Sequence, residues 1–104
     1  MEKNTLIKKI KQAVHEVEPG AEIILYGSQS RGDASAESDW DLLILVKGPV
    51  DDIRTDKIRH RLYEIEWETG EVISSIVRNL KEWNSDLYQT IPFHRRIVEE
   101  GISL

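Results

Sequence analysis

The chain has 104 residues, 39% of them hydrophobic and 32% charged, with a formal net charge of −5; that length predicts a single domain over residues 1–104 with a small core. The acidic balance argues against broad nonspecific binding to nucleic acid, whose affinity comes from neutralising backbone phosphates, and no apolar run is long enough to span a bilayer. With no cysteine, disulfides and thiolate metal sites are excluded, and His15, His60 and His94 lack zinc-type spacing, so any metal would take oxygen ligands.

In chain order, Asn4 or Thr5 is placed to cap a first helix whose Leu6, Ile10, Val14 and Val17 recur on one side, and Pro19-Gly20 stops it. The segment opening at Met1 has no apolar signal-peptide core, which points to the cytoplasm. Glu22 to Tyr26 reads as a first buried strand, with a short helix starting at Ser28. A second apolar strand runs from Trp40 to Val46 and ends before Gly48-Pro49. Asp51 and Asp52 open a third helix with Ile58, Leu62 and Ile65 on one face and Trp67 near its end. Thr69-Gly70 then turns into a third strand, Glu71 to Val77. A helical turn follows around Lys81 to Asp86, and a final helix starts at Pro92 and ends by Gly101. The order α-β-α-β-α-β-α predicts an α/β (α+β) fold, a small mixed β-sheet with helices packed on it. Trp67, Trp83, Tyr88 and Phe93 are expected at the core or its edge. The basic triplets Arg59-His60-Arg61 and His94-Arg95-Arg96 are expected on solvated helix faces.

The chemistry concentrates between residues 27 and 41. Gly27-Ser28 ends the first strand where free backbone N–H groups can meet an anion, Gly27 allowing close approach and Ser28 adding a hydroxyl. Arg31 can offer its planar fork to phosphate, or pair with Asp33 or Glu37. Ser38 organises the turn that presents Asp39. Asp39 and Asp41 alternate along the second strand, so both carboxylates lie on one face, roughly 6.6 Å apart. Carboxylates that close repel unless a cation sits between them, and Mg²⁺ commonly reaches proteins through one or two carboxylates plus substrate phosphates.

Gly27-Ser28-Gln29-Ser30-Arg31-Gly32 followed by Ser38-Asp39-Trp40-Asp41-Leu42 resembles the signature of the nucleotidyltransferase superfamily related to DNA polymerase beta. At this length the resemblance is to the minimal nucleotidyltransferases, the MNT domains found as antitoxin partners of HEPN-domain proteins. It implies the nucleotidyltransferase fold, with Asp39 and Asp41 holding Mg²⁺ and Gly27, Ser28, Arg31 and Ser38 forming the nucleotide side. The implied reaction is transfer of AMP from ATP to a hydroxyl of a partner protein or nucleic acid, nucleic acid entering only as acceptor. The implied partner is a helical HEPN-type protein, or a second copy of the chain completing the cleft, without a membrane role. One departure bears on catalysis: active superfamily members add a third carboxylate from a neighbouring strand, and here that strand reads Val72-Ile73-Ser74-Ser75-Ile76-Val77. Ser74 or Ser75 takes the acidic position, with Glu68 and Glu71 as the nearby substitutes. The alternative is therefore a weak or inactive nucleotidyltransferase-fold module that neutralises its partner by occlusion.

Overall fold

The computed structural model describes residues 2–32 and 39–104. The elements are α1 (Lys3–Val17), β1 (Glu22–Tyr26), α2 (Ser28–Arg31), β2 (Trp40–Val46), α3 (Asp52–Thr69), β3 (Ile73–Asn79), α4 (Leu80–Trp83), α5 (Asp86–Gln89), α6 (Pro92–Glu100) and β4 (Ile102–Ser103). The four strands form a mixed sheet in the order β3-β2-β1-β4. β1 is antiparallel to β2 and β4, while β2 and β3 run parallel.

β2 is one of the two interior strands, and its sequence suits burial on both faces. Trp40, Leu42, Ile44 and Val46 point into one core with Leu6, Ile10 and Val14 of α1 and Ile58, Leu62 and Ile65 of α3. Leu43 and Leu45 point the other way, against Tyr26, Trp83 and Ile97, with Phe93 and Tyr88 at the edge. A near-continuous apolar run is what a strand covered on both sides requires. Within β2 the one position that is not buried is Asp41.

The differences from the sequence reading have local causes. α1 begins at Lys3 with Glu2 as its N-cap and no side-chain cap, so neither Asn4 nor Thr5 caps it; the first turn closes through Leu6 N–H donating to Glu2 O at 3.1 Å. β3 starts two residues late and ends two late, at Ile73 and Asn79. The Glu71 N–H is taken by Thr69 Oγ1 and the Ile73 N–H by Glu66 Oε2, so this stretch is tied to the end of α3 before pairing with β2 begins. The turn expected over Lys81–Asp86 is two separate turns, each capped, by Asn79 and by Ser85. β4, absent from the sequence reading, pairs Ile102 with Leu25 and Ser103 with Ile24 along the outer edge of β1. Trp67 is 94% exposed, against the expectation of a core-edge ring, whereas Trp83 is buried and meets Phe93 edge-on at 5.8 Å.

Candidate functional site

The end of β1 and the start of β2 meet at the site. Tyr26 pairs with Asp41 across β1 and β2, and Asp41 pairs with Ser74 across β2 and β3, so the three side chains form one row on one face of the sheet. This is the face of Leu43, Leu45 and Trp83, covered by α4 to α6. Strand alternation puts Asp39 on the same face, where it is exposed.

Gly27, directly after Tyr26, has φ 76° and ψ −158°, a backbone region that only glycine occupies readily. A Cβ built there would run into the Asp41 carboxylate, so the backbone of the turn and the carboxylate touch. Two sequence features separated by thirteen positions thus form one surface. Arg31 N–H and Ser30 N–H both return to Gly27 O, and Ser30 Oγ donates to the same oxygen at 2.7 Å, which closes the short α2 turn. Ser28 lies in the first position of that turn, half-buried.

Burial pushes the Asp41 carboxyl above its ordinary range, and the charges of Asp39 and Glu100 push it further; Arg96 and Arg31 pull it back. A bound divalent cation would offset the same repulsion. Tyr26 is likewise raised by burial and by the charge of Asp41. Asp39 and Asp41 are hard oxygen donors of the kind that could hold Mg²⁺; among the described residues no cluster of three or more His, Cys, Asp or Glu side chains is placed to hold a metal by itself. The remaining ligands would be substrate phosphates and water.

Glu100, at the end of α6, was not singled out by sequence reasoning. Its Oε1 accepts from Gly27 N–H at 3.1 Å and from Arg96 Nε at 2.8 Å, and its Oε2 accepts from an Arg31 Nη at 3.1 Å. Its partial burial would raise the carboxyl, but the hydrogen bonds from Arg31, Arg96 and Gly27 outweigh that and hold it below the ordinary range. Arg96 also lies 5.7 Å from the Tyr26 ring centre. Only the Arg96 pair is local, an ordinary i,i+4 helix contact; the other two partners of Glu100 are 69 and 73 positions away.

Ser38, Asp33 and Glu37 lie outside the described residues. Glu68 and Glu71 are both engaged elsewhere. Glu68 pairs with Lys9 of α1 at 2.7 Å, and Glu71 accepts from Trp40 Nε1, whose ring belongs to the α1/α3 core behind the sheet. Of the two serines, Ser74 is the one beside Asp41; Ser75 follows the alternation of Ile73 and Val77 toward the α1/α3 side.

A model of the nucleotidyltransferase domain matches residues 7–102. The chain belongs to the nucleotidyltransferase family. A relative from Methanocaldococcus jannaschii, named putative protein adenylyltransferase MJ0604, is 37% identical over 79 residues, which is 76% of this chain and 72% of the relative. Two solved structures share this nucleotidyltransferase fold. One is a crystal structure of a toxin-antitoxin with AMP-PNP, at TM-score 0.63 and 20% identity over 92% of this chain and 69% of that one. The other is a tri-AMPylated Shewanella oneidensis HEPN toxin in complex with MNT antitoxin, at TM-score 0.61 and 16% identity over 98% and 71% of the two chains. The fold class read from the sequence, helices on a small mixed sheet, is the one observed.

Proposed function

We propose that this nucleotidyltransferase binds MgATP at the Gly27 turn and the Asp39-Asp41 pair and transfers AMP to a hydroxyl of a partner protein, as the antitoxin half of a pair with a helical HEPN-type toxin. The observation that carries this reading is the contact between the Gly27 backbone and the Asp41 carboxylate, which joins an anion-accepting turn to a metal-accepting strand. The name of the archaeal relative and the toxin-antitoxin complexes among the structural neighbours support the adenylylation and the pairing.

In the transfer the acceptor oxygen attacks the α-phosphorus, the bond from that phosphorus to the bridging oxygen breaks, and pyrophosphate leaves. Mg²⁺, when bound, supplies charge stabilisation for the attacking and leaving oxygens. Asp39 and Asp41 would hold it. Gly27 lets the phosphates approach the backbone, Ser28 adds a donor, and Arg31 adds a cation; Ser38 would shape the turn before Asp39. The hydroxyl proton has no carboxylate to receive it at Ser74, so it passes to water or to a base brought by the partner. That position favours a second reading, in which the domain binds nucleotide and restrains its partner by occlusion with little turnover. A second copy of the chain could fill the partner's place. In this reading the chain acts as one domain in the cytoplasm. Among the described residues no helix is long and apolar enough to cross a membrane.

Calorimetry with MgATP on wild type and on the Asp39→Asn/Asp41→Asn variant tests the site: binding by wild type and its loss in a folded double variant support it, and equal affinities refute it. Transfer of label from α-labelled ATP to a co-expressed HEPN-type partner separates the enzyme from the occluding module.

A further inference from the structure

Glu100 binds three donors, two from the Gly27–Arg31 turn and one from its own helix, and the way it binds Arg96 is informative. It engages Nε, on the inner edge of the guanidinium, which leaves the Nη groups to be presented elsewhere. The guanidinium carbon also lies over the Tyr26 ring, 5.7 Å from its centre. Tyr26 is the cross-strand neighbour of Asp41. Arg31 is bound through an Nη by the other oxygen of the same carboxylate. A guanidinium held along one edge by a carboxylate is pre-organised to bind an anion with the rest of its fork.

Resting on the MgATP reading above, we propose that Arg96 is a second cation for the triphosphate, opposite Arg31, and that Glu100 is the positioning residue that aims both arginines along the Asp39-Asp41 face. The C-terminal helix α6 thereby becomes part of the nucleotide site. The ligand class is a polyphosphate: the arginines recognise the phosphate chain rather than the nucleoside, so each added phosphate strengthens their grip.

The test is displacement of a fluorescent ATP analogue in the presence of Mg²⁺ by ATP, AMP and inorganic tripolyphosphate, for wild type, Arg96→Ala, Arg96→Lys, Glu100→Gln and Arg95→Ala. Arg95 reaches outward to Glu99 and is the control for charge alone. Loss of a charge-assisted contact corresponds to roughly tenfold in affinity. Arg96→Ala should weaken ATP and tripolyphosphate by about that factor and leave AMP nearly unchanged, thus lowering the ATP-to-AMP affinity ratio; Arg96→Lys should retain part of it. Glu100→Gln should lower the same ratio, and Arg95→Ala should not. A purely structural role would weaken all three ligands alike and lower the melting temperature, and that result would overturn the proposal. Tighter ATP binding by Glu100→Gln would overturn it as well, because Glu100 would then be competing with phosphate. Wild type that fails to bind MgATP sinks the parent reading together with this one, whereas wild-type binding with an unchanged ratio in Arg96→Ala sinks this one alone.

Discussion

Replacing Gly27 by alanine tests backbone and site in one step. At φ 76° and ψ −158° the residue occupies the glycine-only part of backbone space, where another residue costs on the order of 1–3 kcal/mol. For a chain of this size 1 kcal/mol moves the melting temperature by about 4–8 °C, so Gly27→Ala should melt about 5–20 °C below wild type. Stability of the order of 5–15 kcal/mol leaves the variant folded at room temperature. The methyl group would also meet the Asp41 carboxylate, which must swing away and lose its pose beside the turn. MgATP affinity should fall at least about tenfold, as for one lost charge-assisted contact. Gly32→Ala is the control, since Gly32 also has positive φ, at 78°, but a Cβ there meets nothing within 4 Å among the described residues. It should lose stability through strain while keeping more of the nucleotide affinity. Thermal melts and calorimetry on both variants decide the matter. A Gly27→Ala protein that melts with wild type and binds MgATP equally well would show that neither the turn conformation nor its contact with Asp41 is as described.

Three further outcomes are expected. Asp39→Asn/Asp41→Asn should abolish MgATP binding without lowering the melting temperature, because burial and mutual repulsion already disfavour the ionised Asp41; a large fall in melting temperature would mean the pair stabilises the fold. Ser74→Asp should raise AMP transfer to a supplied partner by up to about 10²-fold, the lower end for a positioned base, while Ser75→Asp only destabilises; labelled AMP incorporation and melts compare them, and equal rates for wild type and both variants would refute the assignment. Glu18→Gln should cost up to about 1 kcal/mol at pH 7, after allowance for solvent screening of the pair with Arg54. The hydrogen bond from Arg54 holds the Glu18 carboxyl below its ordinary value, so its stabilisation is present above about pH 4.3 and is lost as pH falls through that value toward the lower folded one. Urea melts at pH 7 and pH 3 should therefore separate the two proteins less at pH 3 than at pH 7, and an equal difference at both would point to packing instead.

What the sequence disclosed and what it withheld divide along the distance between partners. β2 was legible to the residue, Trp40 to Val46, because burial on both faces leaves an unbroken apolar run. The Gly27 turn was legible because its conformation excludes other residues, and α3 because Ile58, Leu62 and Ile65 keep helical spacing. The start of β3 was not, since it depends on Glu66 and Thr69 capturing backbone N–H groups that a strand pattern would assign to the sheet. β4 has two residues, too few for any periodicity. Trp67 was misread because helical spacing near the end of α3 does not say which flank has sheet beneath it.

The same distinction explains the site. The i, i+2 spacing predicts Asp39 and Asp41 on one face from sequence alone, but choosing between Ser74 and Ser75 requires the parallel register of β3, which only pairing supplies. Glu100 is the extreme case: in sequence it is one of two adjacent glutamates closing an amphipathic helix, indistinguishable from Glu99, which serves only Arg95. β4 and Gly101 set the difference between them. Gly101 packs so tightly against Ile24 and the Ile97 carbonyl that a Cβ would come within 2.7 Å of either, and the pairing of Ile102 with Leu25 pins the end of α6 to β1. That close docking brings Glu100 onto the Gly27 N–H and points Glu99 to solvent, so a two-residue strand with no sequence signal of its own decides which glutamate meets the Gly27 turn.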